Sequence, residues 1–120
     1  MPVSFKLEKN EICLINVTGK ISVDELGIVQ ANCESVIQKN GSIKLLVILE
    51  GFEGWQKGIG WDDSSFAQRN DAFIKKFGIV GEEKWRDLSY VFTLKGLRPF
   101  PIEYFGAGQI KEARAWLDSQ

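Results

Sequence analysis

The 120-residue chain contains no histidine, only two cysteines and only three prolines, and its 15 basic residues are offset by 16 acidic ones. Each shortage removes a class of function. Without histidine, the side chain that most often serves as general base near neutral pH and as metal ligand is missing. Cys13 and Cys33 lack the close spacing of a redox or zinc motif, so they read as small buried hydrophobes, one on a strand and one on a helix. A formal net charge of −1 provides no basic field, and no nucleic-acid partner is expected. The longest apolar run, Leu45–Leu49, falls far short of the ~20 residues that cross a bilayer. The first ten residues alternate apolar and polar and lack the apolar segment of a signal peptide. A soluble, cytoplasmic protein is the expectation.

What is present is ordinary for a folded protein: 44% hydrophobic and 26% charged residues, in a length that suits one domain over residues 1–120. Val3, Phe5 and Leu7 alternate with polar neighbours and predict a half-buried strand, and the β-branched run Ile12–Val17 predicts a second, paired with it as a hairpin across Lys9-Asn10 and ended by Thr18-Gly19. Ser22 and Glu25 form an S-x-x-E capping box before Leu26, Val29, Cys33 and Ile37 at helical spacing, closed at Asn40-Gly41. Ile43–Leu49 reads as a central strand covered on both faces. A helix then starts at "DDSS", with Phe66, Phe73, Phe77, Ala67 and Ile74 on its apolar face. Phe77–Gly81 follows as a strand, and Trp85, Leu88 and Phe92 mark a third helix. Phe100–Phe105, with its prolines, belongs on a sheet edge, and Ile110, Ala113 and Leu117 mark a final helix. The order β-β-α-β-α-β-α-β-α predicts an α/β fold with one mixed, mostly parallel five-stranded sheet, an N-terminal hairpin and about four helices.

Between the third strand and the second helix lies "EGFEGWQKGIGWDDSS", Glu50–Ser65. Its rings, Phe52, Trp55 and Trp61, sit just past the carboxyl end of a central strand, where open α/β sheets leave a crevice. Exposed indoles cost free energy unless a core, a ligand, a lipid layer or a partner covers them. Trp55 and Trp61 are read as apolar cover for a ligand, Phe66 and Trp85 as its inner wall, and Gly54, Gly58 and Gly60 as the source of mobility; packing onto the core is the competing reading for each ring. Glu50, Glu53, Asp62 and Asp63 follow no calcium or magnesium pattern, and "GWQKGIGW" lacks the glycine spacing of a phosphate loop. No metal, no cofactor and no catalytic residue is expected.

Three stretches, "LLVILEGFEGW" (Leu45–Trp55), "KFGIVGEEKW" (Lys76–Trp85) and "EARAWL" (Glu112–Leu117), in this element order, resemble the SpoIIAA-like branch of the STAS fold, related to anti-sigma-factor antagonists. The resemblance implies a hydrophobic-ligand or lipid-binding role, a peripheral membrane contact, and mobile second and third helices. Lys57, Lys75, Lys76 and Lys84 would then meet anionic headgroups. The better-known branch carries a phosphorylatable serine in a D-S-S-G motif. Asp63, Ser64 and Ser65 match its first three positions, with Phe66 in place of the glycine, so Ser64 and Ser65 are phosphorylation candidates; ordinary helix caps are the alternative. A regulatory protein partner follows from that second implication, and a homodimer in which exposed rings cover one another is a further expectation.

Overall fold

A computed structural model describes residues 3–119. Its five strands lie in the order in which they occur along the chain: β1 (Val3–Leu7), β2 (Ile12–Ile21), β3 (Ile43–Trp55), β4 (Ile74–Gly81) and β5 (Ile102–Gly106). β1 pairs antiparallel with β2, and all later pairs are parallel. The helices are α1 (Val23–Asn40), α2 (Ser65–Asn70), α3 (Arg86–Thr93) and α4 (Ile110–Asp118). The expected mixed sheet, its N-terminal hairpin and the four helices are all present.

Local chemistry accounts for the best-defined boundaries. Ser22 Oγ accepts the Glu25 N–H at 3.1 Å, and the Glu25 carboxylate accepts the Ser22 N–H at 2.8 Å, so two otherwise orphaned donors at the start of α1 are satisfied reciprocally. At its other end the Gly41 N–H closes on the Ile37 carbonyl at 2.7 Å. Residue alternation on the strands divides the interior into two layers. Cys13, Ile15 and Val17 of β2, Leu45 of β3 and Ile79 of β4 face α1, α2 and α3 on the front of the sheet. Ile12, Leu46 and Val80 face α4 on the back, where Ala113 and Leu117 are fully buried.

Three boundaries differ from the sequence expectation. β2 does not end at Thr18-Gly19: Gly19, at φ +62, carries a register shift, and the strand continues to Ile21. β3 likewise continues past Leu49, pairing Phe52 with Gly19 and Trp55 with Ile21, so Glu50–Trp55 of the expected loop is strand. α2 is only six residues long, because the Asn70 side chain turns back onto the Phe66 carbonyl and the Glu34 carboxylate. Phe73 therefore lies exposed in a 3-10 turn, while Ile74 and Phe77 belong to β4 instead of sharing a helical face with Phe66.

α4 is also tied to the hairpin, through Arg114 and Glu8 at 2.6 and 3.2 Å. The Arg114 hydrogen bond holds the Glu8 carboxyl below its ordinary value of 4.5. A depressed carboxylate adds stability above the unfolded pKa and loses it as pH falls through the folded one. Because the pair is partly exposed, Glu8→Gln is expected to cost less than about 1 kcal/mol at neutral pH. Urea melts should show that cost shrinking as pH falls below the ordinary value of 4.5 and the carboxyl protonates; a cost that does not change with pH would mean the ion pair contributes nothing.

Candidate functional site

The front layer is not filled. Val47 and Leu49, on the cavity side of the central strand, remain only half-buried, as do Leu26 of α1 and Phe77 of β4. Between them and the front helices lies a cavity of about 680 Å³. That is within the size of small-molecule sites and far beyond the packing voids of a solid core. The expectation of a central strand covered on both faces thus holds for the back, under α4, while the front opens onto a hollow.

Phe52, Trp55, Trp61 and Phe66 all line this cavity. Phe52 is buried on β3 with its ring edge-on to Trp55 at 5.2 Å. Trp55 meets Phe92 of α3 at 5.1 Å, and Trp61 meets Phe92 at 5.6 Å. The Trp61 indole N–H donates to the Gln56 carbonyl at 2.9 Å, which fixes a ring that the sequence placed in a loose loop. Trp85 is different. It packs behind the lining, 4.8 Å from Phe52 and 6.1 Å from Trp55, with its indole N–H buried and unpartnered, and it does not line the cavity. Its reading as inner wall becomes one of support.

Gly54 also has a different role from the mobility expected of it. Its φ of +102 disfavours any side chain, and a Cβ there would come within 3.4 Å of the Trp85 ring. This glycine lets the end of β3 lie flat against an indole.

The apolar face expected of α3 is only partly inward. Ser89 and Thr93, 4% and 7% exposed, point inward and line the cavity together with the partly exposed Phe92, whereas Leu88 is exposed and Val91 is 71% exposed. Thr93 Oγ1 donates to the Ser89 carbonyl at 2.8 Å, satisfying the buried hydroxyl within its own helix. Leu94 in the left-handed region ends the helix, and Leu97 beyond it is 80% exposed. The mouth of the cavity lies between this apolar segment and the polar start of α2, since exposed residues from both border it.

At the α2 side the Asp63 carboxylate accepts the Ser65 N–H at 2.9 Å, which lowers its pKa, and the Ser64 hydroxyl accepts from Gln68 at 2.8 Å. Ser64 borders the cavity, and both serines are exposed. Arg98 and Asp71, each 16% exposed, form a two-point ion pair at 2.7 and 3.0 Å that closes the lower wall. Of the lysines expected at headgroups, Lys57 is exposed in the loop between Trp55 and Trp61 and Lys84 lies over the Trp85 ring at 5.5 Å, whereas the other two lie far from the rings. Lys75 pairs with Glu11 at 3.4 Å and Lys76 binds the Trp116 and Ser119 carbonyls, both at the start of β4, the opposite end of the parallel strands from Trp55.

The two cysteines are fully buried and, though twenty positions apart in sequence, face each other across β2 and α1 closely enough to affect each other's ionisation. That contact and burial push the Cys33 thiol up, so it stays protonated and unreactive at the cavity wall. Among the described residues no three acidic or cysteine side chains cluster as a metal site, and no helix is long and apolar enough to cross a membrane.

An α/β domain with a parallel sheet, an N-terminal hairpin and a hollow front layer is built to bind or to regulate, and this is the kind of domain that the comparisons also define. The chain belongs to the SpoIIAA-like family, whose model matches residues 12–118. A solved structure of an uncharacterized protein of the DUF3478 family with a SpoIIAA-like fold, from Shewanella loihica PV-4, superposes with a TM-score of 0.71. It shares 15% identity over 96% of this chain and 91% of that one, a likeness of fold. No curated protein matches the chain.

Proposed function

We propose that this domain is a non-enzymatic binding module that holds an apolar small molecule or a single lipid in the front cavity, and that the outward apolar side of α3 rests against a membrane surface while the ligand exchanges. One observation carries the reading: about 680 Å³ of space stands over the middle strands, where a folded domain of this size ordinarily packs side chains. Trp55, Trp61 and Phe92 cover it at one end, and Leu94 and Leu97 border its mouth. The exposure of Leu88, Val91 and Leu97 supports the membrane contact, because isolated apolar side chains are common on surfaces but a run of them beside a cavity mouth is not.

Native and denaturing mass spectra of freshly purified protein test this. A nonpolar adduct is expected under native conditions alone, with retention falling about tenfold or more in Trp55→Ala and Trp61→Ala, since each indole covers a large apolar area. Liposome flotation should weaken in parallel. Unchanged retention and flotation in both variants would remove the assignment, and a doubled native mass without adduct would show that a second copy covers the rings.

A further inference from the structure

We propose that the cavity selects an amphiphile with a cationic head, a long-chain amine or quaternary ammonium, over a fatty acid or other anion of equal chain length. The inference rests on the cavity reading above and concerns what the cavity prefers. Three carboxylates border it, those of Asp62, Asp63 and Asp71, against a single guanidinium, that of Arg98. Arg98 is not free to receive an anion. Its Nε and Nη2 donate to Asp71, its Nη1 donates to the Thr93 carbonyl at 3.3 Å, and its plane lies 4.8 Å from the Phe100 ring.

Among the described residues no lysine lines the cavity, and Arg98 is the one arginine that does. Lys95, beside Leu94, donates to the Ile102 carbonyl and pairs with Glu103 at 3.7 Å, and Arg69 of α2 pairs with Glu34 at 2.9 Å. A carboxylate or phosphate head entering the mouth would therefore meet like charge, with neutral donors such as the Gln30 and Gln68 amides but no uncommitted cation on the lining. A cationic head would meet the opposite. Asp62 and Asp63 directly follow Trp61 in the chain, so two carboxylates stand at the end of the cavity where Trp55, Trp61 and Phe92 gather, and aromatic rings with nearby carboxylates are the usual recognition chemistry for alkylammonium groups. Asp71, already neutralised by Arg98, adds no net attraction, so Asp62 and Asp63 carry the preference.

The test compares three probes with the same twelve-carbon tail, each below its micelle concentration: dodecyltrimethylammonium, dodecanoate and 1-dodecanol. Binding is read by tryptophan fluorescence and native mass spectrometry, with far-UV circular dichroism showing that the fold persists. The expected order is cation, then alcohol, then anion, with the cation about tenfold tighter than the anion at low salt and the gap narrowing as salt is added. Asp62→Asn with Asp63→Asn should erase most of that gap and leave 1-dodecanol binding unchanged; asparagine keeps an acceptor for the Ser65 N–H. Glu82→Gln with Glu83→Gln changes the net charge equally, away from the cavity, and should leave the gap intact. Equal binding of all probes, a preference for dodecanoate, or a gap that responds equally to both double variants would overturn the inference while leaving the cavity reading standing. Binding of none of the three would overturn the cavity reading itself.

Discussion

Shortening Leu117 to alanine is expected to destabilise the domain by about 2–5 kcal/mol, the range for removing a fully buried aliphatic side chain from a packed core. Leu117 has no exposed surface and belongs to the thin back layer, where, among the described residues, Ile12, Leu46, Val80 and Ala113 are the hydrophobic side chains buried with it. Its partners Ile12, Leu46 and Val80 are on strands held by the sheet and cannot collapse into the space, so a cavity remains and the upper half of the range applies. For a domain of this length the thermal midpoint should fall by roughly 10 °C or more. Urea and thermal melts measure it. A cost below about 1 kcal/mol would mean that α4 does not pack as described. The same variant should retain ligand as long as the protein is folded, because α4 and the cavity lie on opposite faces of the sheet.

Val47→Trp should have the opposite signature, with stability nearly kept and binding lost. Val47 stands on the central strand with its side chain toward the cavity, and tryptophan is well suited to a strand. The extra ring has empty volume to enter, so the strain of overfilling a tight core is avoided and new dispersion contacts are gained. The thermal midpoint is expected within a few degrees of the original, while adduct retention, read by native mass spectrometry so that the added indole does not disturb the signal, should fall at least about tenfold. A folded Val47→Trp protein that keeps its adduct would place the ligand outside the cavity.

The two variants together separate what is solid in this molecule from what is hollow, and that division was only half legible in advance. The capping box at Ser22 and Glu25 is a contact three residues long, and the alternation of Val3, Phe5 and Leu7 is repeated at every second residue; both are local enough for spacing to define them. Thr18-Gly19 looked like a strand end because glycine usually is one, yet here it is a bulge, decided by pairing with Phe52 some thirty residues later. Trp55 looked mobile for the same reason, and the partner strand makes it rigid. Helical spacing identified α3 but not which of its sides faces inward: Phe92 borders the cavity as the spacing suggests, while Leu88 faces out and the short polar Ser89 and Thr93 face in.

Read alone, then, the sequence determined the order and type of the elements, the family likeness, the absence of any imidazole, and four of the six aromatic rings that line the cavity, Phe52, Trp55, Trp61 and Phe66, with Phe77 and Phe92 left out. Those properties are carried by neighbours within one helical turn or one strand. The tertiary structure decided the reach of β2 and β3, the contact between Cys13 and Cys33, the retreat of Trp85 behind Phe52, and the inward turn of Ser89 and Thr93 on α3. It also decided the cavity, for a void is the distance at which helices stand off from a sheet, and no residue in the chain encodes it by itself.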